Sequence, residues 1–176
     1  MLIVAALIAV LIALAVVQVR FYLRQRRLQR TSWDELLSRL QPVNLQGIEE
    51  IAENFLHPSK TQLRIEPTEM WELVGKLKGI QALSANADAI LDLAVFASRW
   101  NQVEGRIVAE MIRRDGVRLK RAVVKIEVST VFGLYRALAP FQLQEAAAAY
   151  QLMRGRLLGL YLVAHVGLHP RLMEVL

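Results

Sequence analysis

Residues 2–17 read LIVAALIAVLIALAVV, an unbroken run of leucine, isoleucine, valine and alanine at the start of a 176-residue chain. Gln18 and Val19 carry the uncharged segment on to Arg20. As an α-helix, about 19 residues span ~28 Å, close to the ~30 Å hydrocarbon core of a bilayer. Since only helices and closed barrels pair all their backbone groups in lipid, the run predicts one transmembrane helix.

A cluster of arginines follows this run directly, and no basic residue precedes it. Its members are Arg20, Arg24, Arg26, Arg27 and Arg30. By the positive-inside rule, this membrane-interface basic cluster places the N-terminus outside and the rest of the chain in the cytoplasm. Three of the arginines share one face of a continuing helix, where they could hold anionic headgroups or act only as a topology signal. We therefore predict that residues 1–30 form a single-pass anchor with a basic juxtamembrane helix.

Two alternatives compete with an anchor at residues 2–19. Ala13-Leu14-Ala15 is a passable signal-peptidase site, but the chain has no basic residue before the run, and the arginines after it oppose translocation. A buried core helix has no matching apolar partner segment. Ala5, Ala9 and Ala13 form a small-residue stripe that permits close helix approach, so a transmembrane packing face and a homo-oligomer stay open.

The remaining residues, 31–176, predict a cytoplasmic bundle of four to six helices, which makes the chain all-α. Capping signals and apolar spacing give the following segments. A short helix starts at Ser32, a second covers 45–56 after Asn44, a third opens at Pro67 and kinks or ends near 79–84, a fourth covers 85–114 and ends at Asp115-Gly116, and the last covers 140–169. The aromatic residues expected in the core are Trp33, Phe55, Trp71, Phe96, Trp100, Phe132 and Phe141.

Two segments leave alternatives open. Residues 117–138 alternate apolar and polar side chains as a strand does, yet Arg118, Arg121 and Lys125 also follow helical spacing. We favour a helix because a lone strand has no partner to pair with. Residues 157–168 are apolar, but the interval between Arg156 and Arg171 is short for a membrane span and favours a buried helix.

The sequence contains no motif that supports a catalytic, cofactor or metal site. There is no cysteine, which excludes disulfides and zinc–thiolate sites, and no phosphate-binding loop or dinucleotide glycine pattern. His165 and His169 lie four residues apart but lack a third ligand. Asp88 and Asp92, also four apart, are interpreted as a solvated acidic face or as ion-pair partners. We therefore predict no catalytic residues, no cofactor, no metal and a protein that is not an enzyme.

Charge is distributed unevenly along the chain. Residues 31–112 carry seven basic and 12 acidic side chains, whereas residues 113–176 carry ten basic and four acidic ones. If helical, the second part aligns Arg114, Arg118, Arg121 and Lys125 in one stripe. This stripe pairs with acidic helices of the same domain, is merely solvated, or binds an anionic partner such as the inner leaflet or an acidic protein surface. Nucleic acid is not expected, because the aromatic residues do not interleave with the basic ones.

These features favour a single-pass, membrane-anchored interaction or scaffold protein that binds the lipid bilayer and an unknown protein partner. Two alternatives remain. The chain could be an accessory subunit of a larger membrane complex, or an enzyme of unrecognised class that acts on an apolar or lipid substrate. For that enzyme, the polar groups to test are Glu127, Glu145, His165 and His169.

Overall fold

A computed structural model of the chain describes residues 31–56, 65–100, 102–131, 135–164 and 167–176. The chain divides into two compact units, Met1–Ser32 and Trp33–Leu176. The predicted membrane helix, its arginine cluster and the stripe of Ala5, Ala9 and Ala13 lie outside the described residues. The described part of the second unit contains helices and no strand, which confirms the all-α prediction for this region.

Seven helices make up the described bundle, one more than the upper predicted number. They are α1 (Trp33–Leu37), α2 (Leu45–Leu56), α3 (Pro67–Val74), α4 (Lys76–Ala97), α5 (Gln102–Val131), α6 (Tyr135–Ala164) and α7 (His169–Val175). Helix α6 packs against α2, α3, α4, α5 and α7, and α4 packs against α1, α3, α5 and α6. The core therefore lies around α4 and α6.

The start of α2 agrees with the sequence. The Asn44 side-chain oxygen accepts a hydrogen bond from the Gly47 backbone N–H at 3.2 Å, which is the predicted N-cap. Ile48, Ile51 and Ala52 are buried as the apolar spacing indicates. A local signal that satisfies the first backbone donors, followed by one apolar stripe, is sufficient to specify this helix.

The break after α3 comes earlier than predicted. Gly75 adopts a left-handed backbone with φ of 85°, and its N–H bonds to the Glu72 carbonyl at 2.9 Å. Helix α4 begins at the next residue and passes through Gly79, where a Cβ atom would lie 1.7 Å from the Val74 carbonyl oxygen. Both glycines are needed for one sharp corner, so Gly75 ends α3 while Gly79 lets α4 pack against that end.

The predicted long helix over 85–114 is wrong, since α4 ends at Ala97 and α5 starts at Gln102. The Ser98 hydroxyl bonds back to the Val95 carbonyl at 2.7 Å, a local bond that competes with helix continuation. At Gly105, a Cβ atom would lie 2.6 Å from the Ser98 Cα atom. The missing side chain therefore lets α5 fold back against the turn.

Asp115-Gly116 does not end a helix, contrary to the prediction, because α5 continues to Val131. Asp115 is buried and ion-paired with Arg156 of α6. A Cβ atom on Gly116 would lie 3.3 Å from the Met153 side chain, so the glycine permits close approach of α6. The favoured helix over 117–138 is confirmed as far as Val131.

The C-terminal part also differs from the prediction of one helix over 140–169. Helix α6 begins at Tyr135 with Pro140 inside it, and α7 is a separate helix. Pro170 lies in the first turn of α7 and not at the end of α6. Backbone N–H groups in a first turn have no intrahelical partner, so proline is tolerated there.

The aromatic residues in the core are mainly tyrosines, and not the tryptophans and phenylalanines that the sequence predicts. Tyr150 and Tyr161 are fully buried, whereas Phe55, Trp100 and Phe141 are exposed. Of the predicted aromatic residues that the structure describes, only Trp33 is buried. Trp71 and Phe96 are half-buried, and Phe132 lies outside the described residues. Burial raises the pKa of both tyrosines above the ordinary 10.0. Each hydroxyl has a polar partner, as buried hydroxyl groups require.

One described helix, α4, is long and apolar enough to cross a membrane. Most of its apolar window is buried inside the bundle. Its buried polar residues have partners within the bundle: Asn86 bonds the Gln41 backbone at 2.7 and 2.8 Å, and Asp92 lies 3.6 Å from Arg39. A helix at the centre of a bundle shares this length and composition.

Candidate functional site: the outer face of helix α5

Helix α5 places the predicted basic stripe on the side of the bundle away from the core. Its inner side buries Ile112, Leu119, Ala122 and Ile126 against the neighbouring helices. The stripe residues follow at spacings of four, three and four, so they share one line along the exposed side of the helix. All four are exposed: Arg114, Arg118, Arg121 and Lys125. The structure therefore brings the predicted stripe together on one surface.

Ion pairs occupy one half of this surface and not the other. Arg114 pairs with Glu110 at 3.3 Å, and Arg118 lies 3.9 Å from Asp115. Beside the stripe, Lys120 pairs with Asp88 of α4 at 2.7 Å. Arg121 and Lys125 have no ion-pair or hydrogen-bond partner in the described ranges of the chain. Self-pairing within the domain thus accounts for the first half of the stripe alone.

Glu110 marks the N-terminal end of the stripe. Arg113 donates to its carboxylate at 2.7 and 2.8 Å, and Arg114 donates at 3.3 Å. The hydrogen bond from Arg113 is the largest cause that lowers the Glu110 pKa to about 2. The carboxylate stays charged over the physiological range, so it neutralises part of the positive charge at this end.

Exposed valines lie beside the stripe, and the sequence reading missed them as a surface. Val117, Val124 and Val128 follow at spacings of seven and four, and Val124 and Val128 are 56% and 50% exposed. The alternation that suggested a strand over this segment comes partly from these valines. Their helical spacing was the signal that could have found them. We name Val117, Arg121, Val124, Lys125 and Val128 together the α5 outer face.

In the described part of the chain, the other residues singled out in the sequence do not come together as a site. On α4, Asp88 pairs with Lys120 of α5, and Asp92 pairs with Arg39. His169 begins α7, and His165 lies outside the described residues. The described residues contain no group of three or more side chains that could hold a metal ion. The chemistry that this geometry supports is the binding of a negatively charged, partly apolar surface.

Comparison with known proteins adds no relative. No protein-family model, curated protein or solved structure matches this chain. The functional interpretation therefore depends on the residues and their geometry.

Proposed function

We propose that this protein is a membrane-anchored helical interaction protein whose cytoplasmic domain docks an acidic protein surface on the α5 outer face. One observation carries the proposal: Arg121 and Lys125 are exposed, have no partner among the residues that the structure describes, and lie directly beside the exposed Val124 and Val128. Carboxylates of a partner would meet the bases, and apolar side chains would cover the valines.

The valines favour a contact over a surface that is merely solvated. Solvent-facing helix positions with no other role are best filled by strong helix formers such as alanine, glutamate or lysine. Valine loses side-chain conformational entropy in a helix, and the exposure of its methyl groups to water is unfavourable. Repeated valines at exposed positions of α5 therefore support an interface in which they become buried.

The anchor part of the proposal is supported by the sequence, since the apolar run of residues 2–17 and the arginine cluster after it predict a span with a cytoplasmic C-terminal side. Tethering to one bilayer raises the effective concentration of a partner tethered to the same bilayer. Roles as an accessory subunit or as an enzyme on an apolar substrate remain predictions, and no described residue favours them.

A photocrosslinker placed at Val124 in the full chain, in the native host, tests the docking proposal. We expect capture of a protein through an acidic peptide, with less capture as the salt concentration rises. The variant Arg121→Glu with Lys125→Glu should abolish capture. The control variant Lys76→Glu with Lys78→Glu changes the net charge equally at exposed positions outside this face and should retain it. Capture that survives the first variant, or crosslinks to lipid alone, would contradict the proposal.

A further inference from the structure

Trp33, the first residue of α1, is held at one end of the bundle. The Trp33 indole N–H donates to the Tyr161 hydroxyl at 3.2 Å, and that hydroxyl donates to the Leu93 carbonyl at 3.2 Å. Leu93 lies one helical turn before Ala97, where α4 ends. We call this end of the bundle, with the end of α4, the start of α5 and the end of α6, the entry pole.

Large apolar side chains are exposed at the entry pole. Trp100 is 45% exposed and Val103 is 72% exposed, and Ile107 follows one turn later on α5. Helices α5 and α6 pack against each other and are separated by only three residues of chain, so they run antiparallel. The end of α6 therefore lies beside the start of α5. It adds two further exposed apolar side chains, Leu162 and Val163.

The chemistry of this pole matches the membrane–water interface. Trp100 packs edge-to-face on Phe96 with ring centroids 5.0 Å apart, and the Arg99 guanidinium lies 4.6 Å from the centre of the Phe96 ring. Arg106 is exposed one turn into α5. Tryptophan, aliphatic groups and arginines with apolar stems are the side chains that occupy the headgroup region. Exposed apolar residues gathered in one place mark a contact surface.

We propose that the entry pole lies in the headgroup region of the bilayer, with Trp100, Val103, Ile107, Leu162 and Val163 in contact with lipid. The inference rests on the anchor of the proposed function. Thirteen residues, 20–32, separate the predicted span from Trp33, a reach of at most ~45 Å when fully extended. Val117, the first residue of the α5 outer face, lies ~22 Å along α5 from Gln102, so contact of the entry pole with lipid leaves that face open to a protein partner.

The absence of cysteine makes a direct test simple, because one introduced cysteine is the only labelling site. Nitroxide labels are placed at Val103→Cys in the entry pole and, as a control, at Lys78→Cys near the start of α4 at the opposite pole. Both positions are exposed, so neither substitution removes a core contact. The full chain is reconstituted in phosphatidylcholine vesicles with a minority of phosphatidylglycerol. Collision rates with oxygen and with a water-soluble nickel chelate are then compared.

The expected result is a label at Val103 that collides more often with oxygen and less often with the nickel chelate than the label at Lys78. Equal accessibility at the two positions would overturn the inference. Spin–spin broadening at Val103 with protection from both reagents would overturn it in favour of a second copy of the chain. A chain that an alkaline wash strips from the vesicles would overturn the anchor as well, and thereby the proposed function. The Arg121→Glu, Lys125→Glu variant should leave the Val103 accessibility unchanged, which separates lipid contact from protein docking.

Discussion

Replacing Arg156 by methionine should destabilise the bundle strongly, because the buried Asp115 carboxyl group would lose its main partner. The Asp115 side chain is only 4% exposed, and its remaining base, Arg118, lies 3.9 Å away and points to solvent. Methionine retains much of the arginine stem, so the loss is chiefly electrostatic. Removing one member of a buried ion pair costs about 3 kcal/mol or more.

The reverse substitution should cost less. In Asp115→Leu, the guanidinium of Arg156 can take up water because its side chain is 28% exposed, and it still reaches the Met111 carbonyl at 3.4 Å. We expect a loss of about 1 kcal/mol, comparable to one hydrogen bond. The double variant should be close to the Asp115→Leu variant, since an apolar pair replaces the ion pair without leaving a buried charge.

Urea and thermal unfolding of the full chain in mild detergent would measure these differences. For a domain of this size, about 3 kcal/mol corresponds to a fall in Tm of roughly 10 °C. Equal losses in the two single variants, adding up in the double variant, would refute the explanation, because the pair would then behave as two independent surface charges.

Three further predictions concern glycine, asparagine and tyrosine positions. Gly79→Ala should destabilise the bundle by ~1–3 kcal/mol, since the added Cβ atom would meet the Val74 backbone. Gly155→Ala should stabilise it by ~0.5–1 kcal/mol, because nothing lies within 4 Å of the added Cβ atom. Thermal unfolding of the two variants compares these effects. Asn86→Ala removes three hydrogen bonds and should cost about 3 kcal/mol in urea unfolding, and a loss near zero would mean that water replaces them. Burial raises the Tyr161 pKa above 10.0, so the protonated hydroxyl stabilises the fold fully below pH 10, and this stabilisation is lost as the pH rises further. Tyr161→Phe should therefore reduce the alkaline loss of unfolding free energy. An unchanged dependence on pH would argue against this role of Tyr161.

Local signals in the sequence were sufficient for some elements. Asn44 and the buried Ile48 and Ile51 specify α2, because capping and apolar periodicity act within a few residues. The basic stripe of α5 was also predictable, since spacings of three and four need only a helix to bring the charges together. These predictions required no knowledge of the neighbouring helices.

Long-range packing decided what the sequence did not reveal. Asp115-Gly116 resembles a helix end, yet Arg156 and Met153 of another helix explain both residues. Gly105 permits the turn after Ser98 through a contact that no local pattern records. The buried Tyr161 hydroxyl accepts a hydrogen bond from Trp33, which is 128 residues away in the chain. A glycine or polar residue in a helical segment can therefore mark either a helix end or a contact with another helix. Only the position of the neighbouring helix distinguishes the two.

The bonds of Trp33 to Tyr161, and through it to Leu93, affect how the bundle would respond to mechanical force. A pull transmitted through the preceding residues reaches α4 and α6 together at the first residue of the bundle. Arg171 strengthens this junction by pairing with Asp34 at 2.8 Å and by stacking over the Trp33 ring. Force applied at this end would thus load several helices in parallel, and α1 would not separate by itself.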